Sequence, residues 1–130
     1  MNIIIPGELT DLNTYIQAER TNKFIGSAVK KEETERVHTE CIVSRPQKET
    51  GSRFFLFIWY SSSKRKDPDN IAFAKKFIMD GLVKAGVIPD DTQKYVIGFM
   101  DLFFIDKENP RVEVRTMEGP QKALEYLLNS

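Results

Sequence analysis

Cysteine and histidine occur once each in 130 residues, at Cys41 and His38. A lone cysteine excludes an intrachain disulfide and any cysteine-rich zinc site, and it fits a reducing compartment. Cys41 lies in the apolar run Cys41, Ile42, Val43 and reads as a small buried hydrophobe. His38 stands at the start of an expected strand and reads as structural or exposed in preference to a base or ligand. A charge of one sign is also missing, since 19 basic residues balance 19 acidic ones. The chain therefore lacks the basic excess common in DNA-binding domains, and any contact with a polyanion must come from local clustering. No apolar run approaches the roughly 20 residues of a membrane span, and Met1 to Pro6 carries neither a basic n-region nor a long apolar h-region. A cytoplasmic protein without membrane contact is the expectation. Repeats, linkers and low-complexity tracts are absent as well. With 41% hydrophobic and 29% charged residues, the composition is that of an ordinary soluble domain, one unit over residues 1–130.

What is present reads as alternating elements. Asn2 to Ile5 is a short strand closed by Pro6 and Gly7. Asp11 to about Glu35 reads as mainly helical, with a possible break between Arg20 and Gly26. Val37 to Ser44 alternates loosely and Arg53 to Tyr60 is densely aromatic, so two strands are expected there, joined as a hairpin. Phe73, Phe77, Ile78 and Leu82 recur at helical spacing between Asn70 and Ala85, and Gly86 is a natural stop. Tyr95 to Ile105 and Arg111 to Met117 read as two further strands, and Pro120 opens a short terminal helix. The order β-α-β-β-α-β-β-α predicts an α+β fold, a small mixed sheet with packed helices.

The segment richest in chemistry is Lys64, Arg65, Lys66, Asp67, Pro68, Asp69, Asn70, then a helix bearing Lys75 and Lys76, then Asp90 and Asp91. In an extended segment held by Pro68, Asp67 and Asp69 point the same way. Asp69 or Asn70 is a candidate cap for the following helix. The turn after Gly86 can return Asp90 or Asp91 toward the adjacent strand. Three converging carboxylates repel one another unless a hard divalent cation lies between them, and magnesium is the expected ion. It would hold phosphate oxygens and acidify a bound water, while a nearby lysine neutralises transition-state charge. Lys64, Arg65, Lys66, Asn70 and Lys75 are the candidate DNA-binding residues. By themselves, such aspartate pairs are common in loops and caps.

The whole string from Lys64 to Asp91, including Met79, Asp80, Gly81, Leu82 and Lys84 to Asp91, resembles the signature of the RusA family of Holliday-junction resolvases. The match covers about a quarter of the chain. More loosely, Leu12 to Ile16 is similar to the phage-borne branch found in Gram-positive hosts, commonly in prophages. The resemblance implies a RusA-like homodimer that nicks four-way DNA junctions symmetrically, using Mg2+ with Mn2+ as a substitute. Asp67, Asp69 and Asp91 take the metal-ligand and catalytic positions. The family's catalytic lysine falls four residues after the second aspartate in compact members, where this chain has Phe73. Counting back from Asp91 assigns the role to Lys76, with Lys75 as the other candidate.

Trp59, Phe54, Phe55 and Phe57 could stack on bases, but so apolar a strand reads as core. Asp80 lies about three turns beyond Asp69 and is expected in solvent. Asn13, Tyr15 and Lys23 are tied to DNA only through the looser amino-terminal likeness. Two competing readings are a non-catalytic DNA-binding module and a metal nuclease acting on flaps or other branched DNA. The carboxylates argue against the first, because a pure phosphate binder gains nothing from three negative charges beside its basic loop.

Overall fold

The computed structural model describes residues 1–130 as one α+β domain. Strand β1 (Asn2–Pro6) turns Ile3 and Ile5 inward. Helix α1 (Leu12–Thr21) is capped by Asp11, whose carboxylate accepts from the Thr14 N–H at 2.8 Å. Asn22 then serves two helices. Its extended backbone ends α1, and its side chain accepts from the Phe24 N–H at 2.7 Å to open α2 (Lys23–Ser44).

Helix α2 corrects the expected order. Val37 to Ser44 is its last two turns and not a strand, so the hairpin with the following strand does not exist. Val37 and Cys41 are spaced by one turn and buried against the sheet. His38 accordingly lies on a helix, 3.5 Å from Glu35. The chain then forms β2 (Arg53–Ser61), α3 (Pro68–Ala72), α4 (Lys75–Lys84), β3 (Val96–Ile105), β4 (Arg111–Met117) and α5 (Pro120–Leu128).

The sheet is four-stranded and mixed, in the order β1-β4-β2-β3. Strand β2 runs parallel to β3 and antiparallel to β4, with Phe57 opposite both Asp101 and Val114. The connection from β3 to β4 therefore passes over the end of β2, where the Asp106 N–H donates to the Ser61 carbonyl at 2.9 Å. β2 is buried on both faces. Phe55, Phe57 and Trp59 join Ile3, Ile5, Val112 and Val114 beneath Val37, Phe77, Ile78 and Leu82 of the helices. Leu56 and Ile58 face the other side with Arg115, whose guanidinium lies 4.2 Å from the Tyr126 ring of α5.

β3 is left at an edge of the sheet. Ile97, Phe99, Phe104 and Ile105 of this strand are roughly half exposed. No helix is long and apolar enough to cross a membrane.

Candidate metal and nucleic-acid site

The acidic motif begins where β2 ends. Past Ser61, the basic loop is fastened at both ends: Glu8 accepts from the Ser62 N–H and hydroxyl at 3.2 and 3.0 Å, and Lys66 pairs with Asp11 at 2.9 Å. Burial opposes ionisation of Asp11, but hydrogen bonds from Thr14 and Lys66 outweigh it and hold the carboxyl below its ordinary range. Lys64 and Arg65, between these anchors, are exposed and enter no ion pair. They are the two basic residues of the loop that remain open to a phosphate.

Pro68 does not extend the motif as expected; it starts a helix. Proline suits the first helical position because its fixed φ is already helical and its missing N–H has no partner to lose. Asp67 is the N-cap, with an extended backbone and no side-chain capping bond, while Asp69 lies in the first turn of α3. Residues two apart in a helix diverge, so Asp67 and Asp69 do not project from one strand face. Both are exposed, and Asp69 accepts only from the adjacent Asn70 N–H. Asn70 is buried and accepts from the Asn13 N–H at 2.9 Å, tying α3 to α1 and facing away from solvent. Neither it nor Asp69 caps the helix that carries the lysines.

The two lysines part company. Lys76 is exposed and pairs along the helix with Asp80 at 3.2 Å. Lys75 turns onto the sheet, with its ammonium 2.6 Å from Asp101 Oδ2 and 4.5 and 5.2 Å from the centres of Phe99 and Phe57. Asp101 Oδ1 accepts from the Trp59 indole N–H at 2.9 Å. Asp101 was not among the expected site residues. The signal for it is that it is the one charged residue of β3, on the helix-covered face of an otherwise apolar strand.

Asp91 is exposed and borders an open groove with Val96, Ile97 and Phe99 at the start of β3. Asp90 accepts from the Asp91 N–H at 2.8 Å. Because β2 and β3 are parallel, Asp67 and Asp69 follow the end of one strand while Asp91 precedes the beginning of the next. A nine-residue strand spans on the order of 25 Å. Within one chain, no three His, Cys, Asp or Glu side chains gather where an ion could sit, so the expected convergence of three aspartates is not formed.

Among the remaining residues, Phe55, Phe57 and Trp59 are enclosed and stacked on one another at 6.2 and 5.8 Å, which leaves no ring face for a base. Cys41 is buried, and burial together with the Glu40 charge pushes its thiol up to about 11, so it is inert. No protein-family profile and no curated protein matches the chain.

Proposed function

We propose that this protein is a magnesium-dependent endonuclease acting on branched DNA, a RusA-like resolvase of four-way junctions that works as a homodimer in the cytoplasm. The observation that carries the reading is the pairing of free groups at the end of β2. Asp67 and Asp69 keep their carboxylate oxygens clear of side-chain partners, beside Lys64 and Arg65, which are equally uncommitted. Hard oxygen ligands suit Mg2+ or Mn2+, and adjacent cations suit the phosphates that such an ion would hold.

The sheet order supports a site shared between two chains. Strand β3 offers an open hydrogen-bonding edge flanked by exposed Ile97, Phe99, Phe104 and Ile105. Antiparallel pairing of two such edges about a two-fold axis would set the start of one β3 beside the end of the other. Asp91 of a second copy would then approach Asp67 and Asp69 of the first.

Synthetic four-way junctions, flaps and linear duplex, incubated with Mg2+ and mapped for nicks, test the assignment. Paired symmetric nicks confined to the junction are expected, and they should vanish in excess chelator. Full activity in chelator, or no cleavage with either metal, would refute the nuclease reading. Junction binding without cleavage would favour the non-catalytic phosphate-binding module.

A further inference from the structure

Helices α2 and α4 flank an open groove lined by Ser27, Lys30, Lys31, Thr34, Asp80 and Lys84. Ser27, Lys30, Lys31 and Thr34 repeat at helical neighbour spacing and form one stripe of α2. Opposite them, Asp80 is paired to Lys76, and Lys84 to Glu35. Lys30 and Lys31 are exposed and have no carboxylate partner. The groove thus holds an excess of ammonium groups although the chain as a whole is neutral.

We infer that this groove is a second phosphate-binding surface, which holds the backbone of one arm of a branched DNA while Lys64 and Arg65 hold another. The inference rests on the DNA reading above and adds to it the surface that makes a branch preferable to a plain duplex. No lining residue is apolar, whereas a protein-docking groove would offer aromatic or aliphatic anchors. Lysine ammonium groups act as point charges on phosphate oxygens, and the exposed Lys30 and Lys31 can reach them without breaking an ion pair. The stripe from Ser27 to Thr34 rises about 10 Å along the helix, more than the spacing of neighbouring phosphates along one strand. It is long enough for two phosphates.

The test is binding of a fluorescent four-way junction and of an unbranched duplex of equal length, in chelator, across a range of salt. Wild type is compared with Lys30→Ala/Lys31→Ala and with Lys30→Arg/Lys31→Arg. The alanine pair should weaken junction binding about tenfold and lower the slope of log affinity against log salt by about 2, at roughly 0.9 per phosphate contact. Duplex binding should change much less, and the arginine pair should restore the junction affinity. Both side chains are exposed, so unchanged circular dichroism and melting are expected for either variant. If wild type binds junctions and the alanine pair binds them with the same affinity and slope, the groove is not a DNA surface. Should wild type bind no DNA at all, the functional reading itself falls, and this inference with it.

Discussion

Glu49 lies between α2 and β2, yet its side chain is only 8% exposed and receives the Met1 ammonium, the Thr116 hydroxyl at 2.7 Å and Arg53 at 2.7 Å. Burial alone would raise its carboxyl, but these hydrogen bonds draw it down from 4.5 to about 2. Stability from this ionised group is complete above pH 4.5 and is lost as pH falls toward 2. Glu49→Gln is therefore expected to cost on the order of 3 kcal/mol at neutral pH and to flatten the acid limb. Urea melts at pH 7 and pH 3 check this; an equal loss at both values would contradict it. The two lysines make a second contrast. Lys75→Ala strips a partner from half-buried Asp101 and should lower stability by roughly 2 kcal/mol. Lys76→Ala breaks an exposed helical pair and should lower it by less than about 0.5 kcal/mol. Thermal melts separate them. If Lys76 acts on the transition state, its loss should slow cleavage far more than it lowers the melting temperature or the junction affinity.

At the scale of elements, α2 and α4 pack closely because Gly81 has no side chain. A Cβ there would lie 2.5 Å from Val37 Cβ and Cγ1. Gly81→Ala should cost roughly 1–3 kcal/mol, and Val37→Ala in the same chain should not recover it, because alanine keeps the Cβ that the new methyl meets; a double-mutant cycle in urea would show this. The contact between these helices was hidden in the sequence by α2 itself. Val37, Thr39, Ile42 and Val43 are residues typical of strands, and α2 ends at Arg45 with φ 49°, where no glycine marks a stop. Only the burial of Val37 with Cys41, one turn apart, reveals the helix, and burial is a tertiary property. Strand β2, by contrast, was legible from its aromatic density alone, and β3, β4 and α5 fall within a residue or so of their expected limits. The acidic motif was legible as composition and not as geometry. Pro68 is compatible with both an extended segment and a helix start, and the structure adopts the latter, so Asp67 and Asp69 diverge. Strand order was beyond reach, because the pairing of β2 with both β3 and β4 depends on contacts distant in sequence.

At the scale of the whole molecule, the separation of Asp69 from Asp91 becomes a statement about assembly. If each site takes Asp67 and Asp69 from one chain and Asp91 from another, Asp69→Asn and Asp91→Asn homodimers are each inactive, with both of their sites damaged alike. A heterodimer of the two variants differs. One of its sites carries both lesions, while the other combines the intact Asp69 of one chain with the intact Asp91 of the other. Unfolding and refolding the variants as a mixture should therefore restore magnesium-dependent nicking, to about a quarter of the wild-type sites when chains pair at random. The restored dimers should make single nicks, since one site cannot resolve a junction. Mixing Asp67→Asn with Asp69→Asn restores nothing, because both positions belong to the same chain's half of the site. Light scattering should give twice the 15.0 kDa chain mass in every case. Active wild type with an inactive Asp69→Asn and Asp91→Asn mixture of verified dimers would mean that each chain builds its own site. The loop after α4 would then have to carry Asp91 across the length of β3 when metal and DNA bind.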